Sequence, residues 1–278
     1  MKNIYKFILV VSSLTMCVGC DAIEDRLHLG GAITADQLNI SATPVVVNGK
    51  NSNKVILENH SPVLSSWDYG VGITRKSADT ILMVVEGESE ILFTGLNPDG
   101  TTIEKTVKVN IDELTFPVPP EWGFLTDGVE KVWSWDSTVP AVWGNGGYLA
   151  SRQPAWWAVA LTDLNGISGV EQEGEGATMT FELRGAKLTK LKANGESQVG
   201  TFSFDMTKKI TLEDGSVWAK GLLTTKGISV LGGYSPNEKI SVYEYEILVL
   251  DGDQMVLCHP EAGAVAWGTA WYWMFRSE

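Results

Sequence analysis

Basic residues and histidine are scarce in this chain of 278 residues, whereas acidic residues are common. Twenty-one Lys and Arg stand against 34 Asp and Glu, which gives a net charge of −13 at pH 7. Nucleic-acid binding needs a basic surface that offsets the phosphate charges, so no nucleic acid is expected as a partner. His28, His60 and His259 lie too far apart in sequence for a local zinc motif. We therefore expect neither a metal nor a cofactor.

Cysteine is also rare, and its positions point to export. Residues 1–19 begin with Lys2 and Lys6 and continue with an apolar run that is too short to span a bilayer, which is typical of a signal peptide. The run ends in MCVGC, which resembles the bacterial lipobox, whose last cysteine is lipidated. The resemblance implies lipidation of Cys20 and attachment to a membrane through its acyl chains. A cleaved signal for soluble export is the alternative.

Residues 20–34 are predicted to form an acidic tether. The sequence DAIED after Cys20 resembles the short acidic signal that sends Bacteroidota lipoproteins to the cell surface, although an ordinary solvated tether would have the same charge. The expected location is therefore the outer membrane, with the lipid-anchored protein exposed at the cell surface. Once Cys20 is acylated, Cys258 has no partner within the chain, so hydrophobic cores must hold the fold without disulfides.

The periodicity of the chain predicts an all-β protein. No long stretch has apolar residues at helical spacing, whereas alternation with period two recurs. The alternating segments are 81–85, 90–93, 106–109, 179–183 and 242–247. Turn sequences such as NPDG, ANG, EDG and DGD punctuate these runs.

A proline-rich linker at residues 114–120 divides the chain into two predicted domains. It contains the sequence FPVPP, and prolines favour extended backbone and cannot donate a ladder hydrogen bond. Residues 35–113 contain one tryptophan, whereas residues 121–278 contain ten of the eleven. This uneven distribution of indole rings sets the second domain apart.

The first domain carries a partial motif. The sequence SWDYG at residues 66–70 and the run KTVKVNI at 105–111 resemble the PKD domain. That resemblance implies an immunoglobulin-like β-sandwich over residues 35–113 that acts as a spacer. Tyr69 stands where the family has Phe, and Val71 stands where it has an acidic residue. From the residues themselves, Trp67 is expected to anchor a core and Asp68 to accept a turn hydrogen bond.

The second domain carries a series of aromatic motifs. In chain order these are VWSWD, VWGNGGY, PAWW, GATMTF, GTFSFD and AWYWMFR. Their order resembles the C-terminal jelly-roll-like β-sandwich of PKD-containing surface glycan-binding lipoproteins from Bacteroidota polysaccharide-utilisation systems. The resemblance implies binding of oligo- or polysaccharide and cooperation with outer-membrane glycan transport machinery. A flat indole ring can bury the C–H face of a sugar while its hydroxyl groups stay free for hydrogen bonds.

Several of these rings are predicted to be interior. In the last motif, alternation places Trp271, Trp273 and Phe275 on one face of a strand, and both faces are apolar. Trp133 and Trp135 are likewise period-two neighbours, so we expect them in the core.

The glycine-rich stretch between residues 143 and 157 is predicted to be a loop, which would place its side chains at the surface. The candidate stacking rings are Trp143, Tyr148, Trp156 and Trp157, with Trp267 as a further ring and Tyr234 as a weaker one. The candidate polar partners are Asn145, Arg152 and Gln153.

Other functions leave weaker signals. The acidic stretch 171–175 could hold calcium, but it lacks the alternation of a calcium loop, so a solvated charge run is preferred. Cys258 continues an apolar strand and is expected to be a buried structural thiol.

No catalytic motif occurs, so the chain is not expected to be an enzyme. The alternatives left open are an adhesive or structural lipoprotein that binds a protein, and a glycoside hydrolase.

Overall fold

The structure, a computed structural model, describes residues 31–278. The predicted signal peptide, Cys20 and residues 20–30 of the predicted tether lie outside the described residues. None of the helices within 31–278 has the length and apolar character needed to cross a membrane. Strands make up 49% of the structure and helices 8%, and the paired strands are antiparallel, which confirms the all-β prediction.

Seven strands form two facing sheets in the first part of the chain. After a short 3₁₀ turn at Ala35–Gln37, these strands are β1 (Ile40–Val47), β2 (Lys50–Asn59), β3 (Leu64–Asp68), β4 (Ile73–Thr74), β5 (Ala78–Leu82), β6 (Gly87–Leu96) and β7 (Thr102–Ile111). One sheet has the order β1-β2-β5 and the other β4-β3-β6-β7. Trp67 is fully buried between them, 4.6 Å from the ring of Phe93. Asp68 accepts a hydrogen bond from the Gly70 N–H at 2.9 Å, so the roles expected of Trp67 and Asp68 are confirmed.

The proline-rich segment is held against the first sandwich rather than hanging free. The side chain of Asn53 accepts a hydrogen bond from the Phe116 N–H at 2.8 Å and donates one to the Phe116 carbonyl at 3.0 Å. Helix α1 (Pro120–Thr126) follows at once. Proline suits the first turn of a helix because the N–H that it lacks would have no partner there. The sequence pattern did not predict this helix.

Fourteen strands follow the helix. They are β8 (Glu130–Trp135), β9 (Trp143–Gly147), β10 (Trp157–Val159), β11 (Thr178–Glu182), β12 (Lys187–Leu191), β13 (Ser197–Asp205), β14 (Ile210–Thr211), β15 (Val217–Ala219), β16 (Gly221–Lys226), β17 (Tyr234–Ser235), β18 (Ile240–Ser241), β19 (Glu244–Leu250), β20 (Gln254–Pro260) and β21 (Thr269–Ser277). Two 3₁₀ turns, Leu161–Gly166 and Arg184–Ala186, lie between them.

Eight of these strands close on themselves in chain order. The order around the closed sheet is β8-β11-β12-β13-β16-β19-β20-β21, and β21 returns to β8 through pairs such as Phe275 with Trp135. A jelly roll would instead distribute its strands over two sheets with long crossings. The predicted jelly-roll-like order is therefore wrong. Hairpin β9–β10 joins the first half of β21, because Thr269–Trp273 pair with β9 while the end of β21 pairs with β8.

The connections between successive strands of the closed sheet lie alternately at its two ends, because antiparallel strands alternate in direction. At the proximal end, which carries helix α1 and the turn at Arg184–Ala186, the chain meets the first sandwich. Arg184 donates hydrogen bonds to the carbonyls of Glu88 at 2.7 Å and Glu86 at 3.2 Å. The distal end carries the long connections 136–177 and 227–243 and the shorter ones 192–196 and 261–268.

The interior of the closed sheet is filled with indole. The main core fully buries Trp271, Trp273 and Phe275. It also buries Trp133 and Trp135, whose exposed fraction is at most 4%. The predicted interior positions are therefore confirmed. Tyr272 and Met274 lie in a separate buried cluster on the outer face of the sheet, with Trp218 and Cys258. This outer cluster is covered partly by the β14–β15 hairpin, which explains why both faces of β21 are apolar. Cys258 is a free, buried thiol, as predicted.

The acidic stretch is a solvated charge run only in part: Glu171 and Glu175 are exposed as predicted, whereas Glu173 is buried at the distal end. Its Oε1 lies 2.7 Å from Nζ of Lys190, an inward-facing residue of β12. Its Oε2 accepts the Gly232 N–H at 2.7 Å, and its carbonyl accepts the indole N–H of Trp135 at 2.6 Å. Glu173 thus ties the connections 136–177 and 227–243 to the wall of the closed sheet.

We expect Lys190→Met to destabilise the protein by about 3–5 kcal/mol, because it leaves the Glu173 carboxylate buried without its counter-charge. The free energy of unfolding from urea denaturation at neutral pH measures this loss. Adding Glu173→Gln removes the stranded charge and keeps an acceptor for Gly232, so the double variant should regain part of the stability. A loss below about 1 kcal/mol in Lys190→Met would contradict a tightly coupled pair.

Candidate functional site

Three indole rings are open to solvent at the distal end. The exposed fraction is 70% for Trp267, 54% for Trp156 and 40% for Trp157. We call these three rings the indole platform. Trp143 is fully buried instead, packed 5.1 Å from Trp271, so the prediction that it forms part of the surface is wrong. A buried ring has no face to offer a ligand.

The hairpin β9–β10 positions two of the exposed rings. The segment that was predicted to be a loop is in fact partly strand, in which Asn145 pairs with Trp157. The Asn145 carbonyl accepts the N–H of Trp156 at 3.0 Å, and its side-chain oxygen accepts the N–H of Trp157 at 3.0 Å. Asn145 therefore orients both tryptophans, and its side-chain oxygen is already engaged.

Glycine at position 144 permits this hairpin. A Cβ at Gly144 would lie 1.9 Å from the carbonyl oxygen of Trp157, which no side chain tolerates. The close approach lets Trp157 pack its ring edge on the core, 5.4 Å from Trp143 and 5.8 Å from Trp271. The Trp157 side chain is thus partly packed on the core and partly exposed, whereas Trp156 is more exposed.

The connection 261–268 presents the third ring. Trp267 has a φ of 67°, a left-handed conformation that is unfavourable for a bulky residue and costs of the order of 1–3 kcal/mol. Two backbone hydrogen bonds hold it there, from the Trp267 N–H to the Tyr148 carbonyl at 2.9 Å and from the Tyr148 N–H to the Gly268 carbonyl at 2.7 Å. Backbone strain of this kind concentrates at functional sites.

Gly147 brings two of the rings together. The position that a Cβ would take at Gly147 lies 3.0 Å from Cε3 of Trp267 and 3.4 Å from Cζ2 of Trp156. Atoms of both rings therefore lie close to one point of the backbone, although Trp156 and Trp267 are far apart in sequence. The sequence placed both among the candidates but gave no signal that they adjoin.

Tyr148 does not form part of the platform but supports it, because its side chain is bonded to a buried carboxylate. Its hydroxyl donates to Oε1 of Glu246 at 2.7 Å, and the indole N–H of Trp218 donates to Oε2 at 2.7 Å. Burial raises the pKa of Glu246, and these two hydrogen bonds offset part of that rise. Burial and the adjacent Glu246 also raise the pKa of Tyr148. Sequence reasoning missed Glu246, because it follows the exposed Glu244 by two residues in the same strand and gives no separate signal of burial.

The other predicted residues divide into engaged and free side chains. Arg152 donates to the carbonyls of Trp218, at 3.3 Å, and Val217, and its guanidinium lies over the Trp218 ring at 5.2 Å. It therefore holds strand β15 in place. Gln153 is exposed beside the hairpin, whereas Tyr234 packs against the main core.

A second set of contacts fixes the connection that carries Trp267. Glu238 accepts the N–H of Ala262 at 3.0 Å, and its other oxygen lies 3.7 Å from Nε2 of His259. Glu261 accepts the indole N–H of Trp271 at 3.0 Å. The start of this connection is thus tied both to the neighbouring connection 227–243 and to the core.

No protein-family model matches this chain, and no curated protein matches it either. The arrangement of the site is therefore the basis for any functional conclusion.

We expect Glu246→Gln to destabilise the protein by about 1–3 kcal/mol, because glutamine has one side-chain oxygen for two buried donors. The pH dependence should change as well. A carboxyl whose folded-state pKa is raised binds more protons folded than unfolded between its ordinary and its raised pKa. The wild type should therefore gain stability as pH falls through that window, a gain that Glu246→Gln lacks.

Urea denaturation of both proteins over acidic and neutral pH measures this difference. Asp214→Asn is the comparison of opposite sign: its exposed carboxyl has a pKa that a hydrogen bond from Ser216 lowers, so its contribution to stability is lost as pH falls. Parallel stability curves for the wild type and Glu246→Gln would show that the folded-state pKa of Glu246 is not raised.

Proposed function

We propose that the protein binds oligo- or polysaccharide on the indole platform formed by Trp156, Trp157 and Trp267. The observation that carries this proposal is the placement of two largely exposed indoles, Trp156 and Trp267, beside the same glycine, Gly147. Contiguous exposed apolar patches mark interaction sites, whereas single exposed apolar residues are common at protein surfaces. The adjacency of the two indoles offers an apolar surface large enough for more than one sugar ring.

The strength of such binding follows from the buried area. At about 25 cal/mol per Å² of apolar surface, one stacked sugar ring contributes on the order of 1–2 kcal/mol. Two or three rings, together with a few polar partners, then give micromolar to millimolar affinity, roughly −8 to −4 kcal/mol. Weak binding of this kind becomes effective where many anchored copies act on one polymer.

The openness of the platform favours a chain over a small molecule. With exposed fractions of 54% and 70%, Trp156 and Trp267 stand at the surface rather than lining an enclosed pocket. A polysaccharide can cross such a surface at any point along its length. Among the predicted polar partners, Gln153 is exposed and is retained in the proposal, whereas Asn145 positions the platform and Arg152 holds strand β15.

The placement of the platform suits a surface receptor. In this proposal Cys20 is lipidated and anchors the protein in the outer membrane, exposed to the cell exterior, where it passes glycan to associated transport machinery. The first sandwich serves as a PKD-like spacer. Its strand order, β1-β2-β5 facing β4-β3-β6-β7, supports an immunoglobulin-like arrangement. The first sandwich contacts the proximal end of the closed sheet, and the platform lies at the distal end.

A protein partner is the second candidate. Val265 is largely exposed within the connection that carries Trp267, so the apolar surface extends beyond the rings. A flat apolar patch of this kind is also typical of protein interfaces. Adhesion to a protein and capture of glycan are separated by the experiment below.

We expect the full chain to be retarded in native gels that contain its polysaccharide, tested across plant, microbial and host glycans. Trp156→Ala and Trp267→Ala should each weaken binding roughly 5- to 30-fold, since each removes one stacked ring. Trp267→Tyr keeps an aromatic face and should retain part of the affinity. Val129→Ala alters an exposed apolar residue at the proximal end and should have no effect.

Two results would contradict the proposal of glycan capture. Absence of retardation by every polysaccharide counts against glycan capture and leaves protein adhesion as the better explanation. Release of reducing sugar from a retarding polysaccharide would show a hydrolase instead. Thermal unfolding of each variant must stay close to the wild type, because Trp157 and its neighbours also contact the core.

A further inference from the structure

A polar cavity opens at the distal end, away from the indole platform. Its volume is about 550 Å³, within the range of about 300–1,000 Å³ that is usual for small-ligand sites. The side chains that matter for its chemistry are those of Glu173, Lys190, Gln198, Ser229, Ser241 and Tyr243. None of these residues belongs to the platform.

The strand order separates the two places. Lys190 and Gln198 are cross-strand partners on β12 and β13. The platform is carried by β9, β10 and the connection that precedes β21. Around the closed sheet, strands β16, β19 and β20 stand between β13 and β21. The cavity and the platform therefore occupy different sectors of the same end.

The charges inside the cavity cancel. The side chains of Lys190 and Glu173 are 3% and 10% exposed, and their charged atoms lie 2.7 Å apart. Lys190 also donates to the hydroxyl of Ser229 at 3.2 Å, which leaves one of its three N–H groups for another acceptor. Burial lowers the pKa of Lys190, and Glu173 opposes that shift. A charged ligand would meet a compensated pair and would have to lose its hydration without a free counter-charge.

The rest of the lining suits hydroxyl groups. Ser229, Ser241 and Tyr243 carry hydroxyls that both donate and accept, and the Gln198 amide, held at one side by Glu196 at 3.3 Å, adds an acceptor. The ring of Tyr243 is 45% exposed, so it provides an aromatic face at the rim. Hydroxyl partners together with one open ring are the combination that recognises an uncharged polyol with an apolar C–H face.

We propose that this cavity is a second ligand site, which takes one neutral monosaccharide unit or a similar small uncharged polyol, independently of the indole platform. Tyr243 covers the C–H face of the sugar, and Ser229, Ser241 and Gln198 bond its hydroxyls. The buried pair Lys190 and Glu173 forms the floor and contributes one further N–H donor.

Ligand-observed saturation-transfer NMR, followed by calorimetric titration, tests this site with the full chain. The probes are glucose, galactose, mannose, xylose and N-acetylglucosamine, with glucuronate as the charged counterpart. At least one neutral sugar should bind, and glucuronate should bind more weakly. Tyr243→Ala and Ser241→Leu, both at exposed positions, should each weaken that binding about tenfold or more. Val129→Ala is the matched control at the proximal end.

The Trp156→Ala/Trp267→Ala double variant separates the two proposals. It should keep the binding of the neutral monosaccharide and lose the retardation by polysaccharide. Loss of monosaccharide binding in this double variant would place that sugar on the platform and overturn the second site. Binding of none of the neutral sugars, tighter binding of glucuronate, or unchanged affinity in both Tyr243→Ala and Ser241→Leu would overturn it as well, whatever the polysaccharide gels show.

Discussion

The pairing of β21 with both β8 and β9 is the constraint on which the second half of the molecule depends. One strand of nine residues completes the closed sheet through its end and carries the β9–β10 hairpin through its beginning. Its alternating side chains supply Trp271, Trp273 and Phe275 to the main core and Tyr272 and Met274 to the outer cluster. Closure, interior packing and the position of the proposed platform therefore depend on the same backbone hydrogen bonds.

The distribution of indole rings follows from that closure. The interior of an eight-stranded closed sheet has limited volume, and Trp133, Trp135, Trp143, Trp271 and Trp273 fill much of it. Three of their N–H groups donate to backbone carbonyls, as for Trp133 with Leu125 at 2.9 Å and Trp273 with Gly232 at 2.7 Å. The N–H of Trp271 donates to Glu261, and that of Trp143 has no partner among the described residues. Trp122 packs on the main core from helix α1, and Trp218 lies in the outer cluster. The remaining rings, Trp156, Trp157 and Trp267, stand exposed at the distal end.

Sequence patterns predicted the all-β class and many interior positions because alternation with period two directly reflects burial on a strand. They failed for Trp143, since Gly144, Gly146 and Gly147 resemble a loop. In the fold these glycines form a strand whose missing side chains make room for neighbouring backbone and rings. They also failed for Glu173, which reads as one of several surface charges until the fold brings Lys190 to it. The expected jelly-roll order failed because local patterns do not encode which distant strands pair.

The left-handed backbone at Trp267 has a consequence for how a ligand would be received. Hydrogen bonds to and from Tyr148 hold this residue in a conformation that a free chain would seldom adopt, and the hydroxyl of Tyr148 is itself fixed by Glu246. The direction in which the indole leaves the backbone is thus set in advance, so the connection has no backbone freedom left to lose when a flat molecular face settles on the ring. Fixing the backbone of one residue costs about 1–2 kcal/mol, and folding has already covered that cost here.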